Sequence, residues 1–180
     1  MADITGIVLA AGAGIRAGGP KAMRRAPDGT PWLHRAASAL LDAGCDRVVV
    51  VLGAQAEAAR SLVPVDPRVV VVVADRWESG MSQSLGTGLQ AATGDAALVT
   101  LVDLPELPAS VVRRILDASG PLRQAAFSGR PGHPVYIAAE HWSGVIDSLA
   151  GDRGARDYLV AHSVVEVECS DLWDGLDRDE

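Results

Sequence analysis

Cysteine is almost absent from this sequence, with Cys45 and Cys169 the only two among 180 residues, too few and too far apart for a disulfide framework or a zinc cluster. A reducing compartment, the cytoplasm, is the expected setting. Long apolar runs are also missing. The longest, Val48–Leu52 and Val69–Ala74, fall far short of the roughly 20 residues a membrane-spanning helix needs, and Met1–Thr5 carries no signal-peptide pattern. Positive charge is in short supply: 16 Lys and Arg face 23 Asp and Glu, for a net charge of −7. That sign excludes a broad basic surface for nucleic acid or anionic lipid, so a polyanionic partner must be met by a few local cations. What is present suffices for one core. At 48% hydrophobic and 22% charged, the chain can bury enough apolar surface to offset its ordering entropy. Its length fits a single domain over residues 1–180 better than two.

Ile4–Leu9, Arg47–Leu52, Arg68–Ala74 and Ala97–Val102 are rich in Val, Leu and Ile without apolar–polar alternation, which predicts strands buried on both faces. Helical spacings lie between them. Thr30 is placed to cap a helix with Pro31 first, Leu33, Ala36, Ala37, Leu40 and Leu41 on one face, and Gly44 at its end. Ala54–Leu62, Ser82–Ala92 and Ala109–Ala118 are the next helices. The alternation predicts an α/β fold, a mostly parallel sheet covered by helices on both sides. Beyond Gly120 the regularity fades into a loop or short strand at Ala125–Ser128, the segment Gly129-Arg130-Pro131-Gly132-His133-Pro134, and a strand at Val135–Ala138. Helices near Ala139–Leu149 and Ala155–His162 and a strand at Val164–Glu168 follow. The acidic tail Asp171–Glu180 is expected to fray.

Ligands of such sheets sit beyond the carboxyl ends of the strands. After Leu9 come Ala10-Ala11-Gly12-Ala13-Gly14-Ile15-Arg16-Ala17-Gly18-Gly19-Pro20-Lys21, small residues that let main chain approach a ligand and line up amides into an anion site. Neither G-x-G-x-x-G opening into a helix nor the P-loop spacing is met, so the loop alone reads as a phosphate cradle or a structural turn. Lys21 is the only lysine in the chain, a compact ammonium beside Arg16. Asp103 stands at a strand tip stopped by Pro105. Alone it is a turn or cap residue; opposite a phosphate loop it becomes a Mg²⁺ ligand, because Mg²⁺ takes one or two carboxylates and fills its other positions with water and phosphate oxygens. A second carboxylate is then required. Asp171 is the candidate, with Asp174 and Asp177 nearby in what also reads as a solvated tail. His133 reads as an orienting or structural residue as readily as a base, and His34, His141 and His162 lack metal-ligand spacing. Trp77 is placed to wall a nucleotide site, while Trp32, Trp142 and Trp173 suit core or interface. Arg153 and Arg156 either reach a substrate phosphate or decorate a helix start.

Together, Leu-Ala-Ala-Gly-x-Gly-x-Arg-x-Gly-x-Pro-Lys from Leu9 to Lys21, Trp77 to Leu85, Asp103-Leu104-Pro105, Gly129 to Pro134 and Gly151-Asp152-Arg153-Gly154-Ala155-Arg156 resemble the molybdenum cofactor cytidylyltransferases. These belong to the wider molybdopterin and sugar nucleotidyltransferase group. The resemblance spans nearly the whole chain. It implies a three-layer αβα sandwich with a Rossmann-like sheet of the nucleotide-diphospho-sugar transferase type, and transfer of CMP from CTP to a molybdopterin phosphate with Mg²⁺. Leu9, Ala10, Ala11, Gly12 and Gly14 would cradle the nucleotide, Arg16 and Lys21 would neutralise its triphosphate, and Gly80, Ser82 and Ser84 would lie near base and ribose. Asp103 would hold the metal, and Arg130, Gly132, His133 and Pro134, with Arg153 and Arg156, would face the pterin substrate. Two departures stand out. Ala17 replaces a common Met, and where relatives carry an Asp-Ile-Asp-Thr-Pro-Glu-Asp-like end this chain has Cys169-Ser170-Asp171-Leu172-Trp173-Asp174, which leaves Asp171 as the expected second metal ligand. Three readings stay open beside CTP and molybdopterin: GTP as donor, a sugar or alditol phosphate as acceptor, and a carrier without turnover that acts as chaperone to a molybdoenzyme.

Overall fold

Seven strands lie in the order β3-β2-β1-β4-β6-β5-β7 in the computed structural model, which describes residues 2–178. β1 (Ile4–Ala10) is flanked in parallel by β2 (Arg47–Leu52) and β4 (Ala96–Leu101), and β2 by β3 (Val69–Val73). β5 (Leu122–Phe127) and β7 (Val165–Glu168) are parallel to each other, while β6 (Arg130–Ala138) runs against both β4 and β5. The sheet is therefore mostly parallel, with one reversed strand. Its helices are α1 (Trp32–Ala43), α2 (Ala56–Arg60), α3 (Met81–Ala91), α4 (Ala109–Asp117), α5 (Trp142–Ser148) and α6 (Arg156–Ala161).

Alternation along the buried strands splits the core between two faces. Ile4, Val8 and Ala10 of β1 join Leu40 of α1 and Ile115 of α4 on one side, whereas Ile7 and Leu9 join Leu89 of α3, Val145 of α5 and Leu159 of α6 on the other. That is the three-layer sandwich expected. Among the described residues no helix is long and apolar enough to cross a membrane.

The departures from the sequence reading have local causes. Arg68–Ala74 forms an edge strand rather than one buried on both faces, and Val70 is half exposed. Thr30 caps nothing: Pro31 is the boundary residue of α1, and the Thr30 amide donates to Asp28 Oδ1 at 2.9 Å. Ala54–Leu62 contracts to α2 because Gln55 adopts a left-handed conformation at φ 54°. Gly129–Pro134, which the sequence assigned to no element, belongs to a hairpin. Ser128 and Gly129 both take positive φ, 53° and 73°, the geometry that closes a tight hairpin, and Arg130 to Pro134 become the first half of β6. The tail is held rather than frayed as far as Arg178, whose amide donates to the Asp103 carbonyl at 2.8 Å; Asp179 and Glu180 lie outside the described residues.

Candidate active site

β1 and β4 are parallel neighbours, so their carboxyl ends open onto the same edge, where one delivers the glycine loop and the other delivers Asp103. The loop closes on itself. The Ala17 and Gly19 amides both return to the Gly14 carbonyl, at 2.9 and 3.0 Å, and a Cβ on Gly14 would fall 1.9 Å from the Gly19 oxygen, so no other residue fits there. A 3-10 turn, Ile15–Ala17, carries exposed Arg16 to the rim, and a second, Lys21–Met23, turns Lys21 inward. The Lys21 ammonium lies 3.0 Å from Asp103 Oδ2, with 18% and 19% of the two side chains exposed. Asp103 Oδ1 is buried and, among the described residues, has no hydrogen-bond partner. A buried carboxylate oxygen left unsatisfied is costly, so the charge at this strand tip suits a hard cation.

The opposite wall is the start of α3. Gly80 takes φ 109°, and a Cβ there would lie 2.3 Å from Asp152 Oδ1. The close approach lets the loop before α6 cap α3, with the Met81 amide donating to Asp152 Oδ1 at 3.3 Å and the Ser82 amide to the Gly151 carbonyl at 3.1 Å. Between these walls lies a cleft of about 1170 Å³ that gathers, from the described residues, three cations, Arg16, Lys21 and Arg24, and four carboxylates, Glu78, Asp103, Asp152 and Asp177. Among the described residues no three His, Cys, Asp or Glu side chains could enclose a metal. An ion at Asp103 would thus draw further ligands from phosphate and water, as Mg²⁺ does.

Leu9, Ala10, Ala11, Gly12, Gly14, Arg16, Lys21, Gly80, Ser84 and Asp103 all line this cleft, as does Trp77. Ser82 does not; it is buried at 2% exposure with its hydroxyl unpartnered. Arg130, Gly132, His133 and Pro134 lie along β6 and line no part of it. Burial lowers the His133 imidazole to about 4, so it is neutral at neutral pH, and the neighbouring Gly132 carbonyl accepts from Gln124 Nε2 at 3.1 Å. Arg153 and Arg156 border a second groove that meets the cleft at Asp152, and Arg153 pairs with Asp157 at 2.9 Å.

Asp171 is not brought to Asp103. It lines no part of the cleft, and the Arg114 guanidinium donates to both its oxygens at 2.5 and 2.9 Å and holds its carboxyl below the usual range. Among the described residues, the tail carboxylate that lines the cleft is Asp177. Of the charged cleft residues, Arg24 was not singled out in the sequence, and Glu78 and Asp152 stood inside the quoted motifs without a role. Arg24 carried a signal, since it sits three residues beyond Lys21 within one 3-10 turn and its guanidinium donates to the Ala17 carbonyl. Asp152 caps a helix 71 residues away, which no local pattern announces.

The MobA-like NTP transferase domain model matches residues 6–167. The chain is 40% identical to a nicotine blue oxidoreductase of Paenarthrobacter nicotinovorans over 98% of this chain and 92% of that protein. Among solved structures it superposes on Rv0371c of Mycobacterium tuberculosis H37Rv with TM-score 0.81 at 27% identity, over 98% of this chain and 93% of the other. A manganese complex of Rv0371c matches with TM-score 0.75 at 25% identity, over 93% and 88% of the two chains. A Methanothermobacter nucleotidyl transferase matches with TM-score 0.80 at 25% identity, likewise over 93% and 88%. With its glycine loop, its strand-tip aspartate and a family model that spans nearly the whole sheet, the chain belongs to the MobA-like NTP transferase domain family and is a nucleotidyltransferase.

Proposed function

We propose that the protein transfers CMP from CTP to the phosphate of a molybdopterin-type acceptor and releases pyrophosphate. The observation that carries this reading is the strand tip: Asp103 offers one oxygen to Lys21 at 3.0 Å and keeps the other buried and unpartnered, directly beside a glycine loop. The Ala10–Gly12 main chain takes the triphosphate, while Arg16, Lys21 and Arg24 neutralise it. Asp103 and Asp177 would hold Mg²⁺, and a manganese-bound relative of the same fold supports a divalent ion. When bound, that ion spreads the negative charge of the α-phosphate and of the departing pyrophosphate.

The acceptor phosphate is ionised near neutral pH and needs no side-chain base. Its oxygen forms a bond to the α-phosphorus, the α–β bridging bond breaks, and pyrophosphate leaves with the electron pair. The chain's own task is to position two polyanions in line and to offset their charge. Gly80, Ser84 and Trp77 stand beside the nucleoside. Arg153 and Arg156 meet the acceptor where their groove joins the cleft at Asp152. Pyrophosphate release from CTP with the molybdopterin cofactor tests the reading. Activity in the parent, lost in Lys21→Ala and Asp103→Asn with folding intact, supports it; parent rates in both variants overturn it, and a preference for GTP corrects the donor.

A second reading follows from the 40% identical relative, whose name is that of an oxidoreductase. A nicotinamide dinucleotide carries a pyrophosphate that the same loop can cradle. Hydride transfer does not call for the unpartnered Asp103 oxygen or for three convergent cations, so nucleotidyl transfer explains more of the cleft. Oxidation of NADPH with a quinonoid acceptor and no pyrophosphate release from any nucleoside triphosphate would favour the redox reading.

A further inference from the structure

The segment from Asp171 to Glu180 carries five carboxylates and a single cation, Arg178. Its described part, which ends at Arg178, crosses a turn that is itself acidic, with Asp103 and Glu106. Like charges should drive the two apart, yet the Arg178 amide lies 2.8 Å from the Asp103 carbonyl. The contact that reverses the repulsion is the guanidinium, which donates to Glu106 Oε2 through Nε at 3.0 Å and Nη2 at 2.5 Å and approaches Asp174 Oδ2 at 3.5 Å. Upstream, Trp173 packs edge-on against Phe127 with ring centroids 5.6 Å apart. The strap is thus fixed at two points. Asp177, immediately before Arg178, lines the cleft, whereas neither Glu106 nor Arg178 does.

We infer that Glu106 and Arg178 are a positioning pair: their ion pair docks the C-terminal strap across the tip of β4 and holds the Asp177 carboxylate beside Asp103. The inference rests on the reading of Asp103 and Asp177 as the carboxylates that face a divalent ion. The pair acts only through Asp177, because neither of its side chains lines the cleft. The Arg178 and Glu106 side chains are 32% and 50% exposed, so the pair's strength is modest and screened by salt, and the strap should loosen as ionic strength rises.

The test uses the full chain. Exchange of the Arg178 amide is followed by NMR, and Mn²⁺ binding in the presence of CTP is titrated by electron paramagnetic resonance. Glu106→Gln and Arg178→Gln should each speed the exchange and weaken Mn²⁺ binding by about fivefold, the upper end for an exposed pair. The double reversal, Glu106→Arg with Arg178→Glu, should restore both. Mn²⁺ binding at the parent value in both single variants overturns the inference. So does a double reversal that restores neither property, and so does tighter Mn²⁺ binding, which would make the strap an obstruction. Asp103→Asn separates the two levels. If it too binds Mn²⁺ like the parent, the metal reading fails; if it loses Mn²⁺ while Glu106→Gln does not, the positioning pair alone fails.

Discussion

The Lys21–Asp103 pair beyond β4 and the Arg114–Asp171 pair beyond β7 use the same chemistry at the exits of two strands of one sheet. In the second, the guanidinium fork takes both carboxylate oxygens, at 2.5 and 2.9 Å, and spends another donor on the Glu168 carbonyl at 3.0 Å. Every oxygen of Asp171 has a partner, and 63% of the side chain is in solvent. In the first, a point-like ammonium engages one oxygen and leaves the other buried, with no partner among the described residues. A completed pair fastens the end of β7 to α4; an incomplete one, placed beside a glycine loop, can accept a ligand. The choice of lysine matters here, because an arginine fork would satisfy both oxygens and close the site.

The strongest way to break this contrast is to remove charge at the incomplete pair. Asp103→Asn should cost about a hundred- to a thousandfold in nucleotidyl transfer, the scale of losing one preorganised electrostatic contact, with an unchanged circular dichroism spectrum. Lys21→Arg should also impair turnover despite the conserved charge. If steady-state rates of both variants match the parent, the contrast between the two pairs carries no functional meaning.

Arg24 comes next in size. Its guanidinium holds the Ala17 carbonyl and lines the cleft, so it serves both the shape of the loop and the field at the triphosphate. Arg24→Gln should raise the KM for the nucleotide by roughly tenfold, about one charge-assisted contact, with a smaller change in kcat. Initial rates over a range of CTP concentration separate the two. A loss confined to kcat would show that Arg24 does not bind the ground-state nucleotide.

How much of this was legible depends on whether the cause is local. β1, β2 and β4 are central and buried on both faces, so unbroken apolar runs announce them. β3 has the same run of valines but sits at the edge, and composition cannot tell an edge from a centre. The Gly12–Lys21 loop was legible through small residues and the lone lysine. The hairpin of β5 and β6 was hidden by Pro131 and Pro134, which the strand absorbs next to a register shift between Gln124 and Ala126. Ser82 and Ser84 looked alike in sequence and both are buried, at 2% and 5% exposure, yet only Ser84 lines the cleft, because Ser82 shares the phase of Leu85 and Leu89, three and seven residues on, and packs with them. The tail misled most. Its acidic composition suggests solvation, and only Trp173 and Arg178 hint at anchorage; their partners, Phe127 and Glu106, are remote in sequence. Asp177 rather than Asp171 therefore reaches the cleft.

His133 tests whether the β6 segment is scaffold. Burial lowers its imidazole from 6.5 to about 4, so between those values the unfolded chain binds the proton that the folded chain refuses, and stability rises with pH. Acidification from pH 7 to 5 should cost about 1 to 2 kcal/mol through this residue, and His133→Gln should flatten that slope. Urea unfolding at the two pH values measures it. An equal slope in both proteins would place the acid sensitivity elsewhere.

The smallest effect belongs to the completed pair, and its smallness is the informative part. Asp171→Asn should leave nucleotidyl transfer within about twofold of the parent, as removal of an exposed ion pair does. The Arg114 guanidinium lowers the Asp171 carboxyl below its ordinary 3.8. The stability this provides is fully present above about pH 4 and is lost as pH falls through the lowered value, so the parent and Asp171→Asn should converge in acid. A large activity loss in Asp171→Asn at neutral pH, with the Arg178 amide still protected from exchange, would return Asp171 to the catalytic machinery and end the distinction between the two strand exits. A loss accompanied by deprotection of that amide would instead show that the clasp at Arg114 steadies the same strap that carries Asp177.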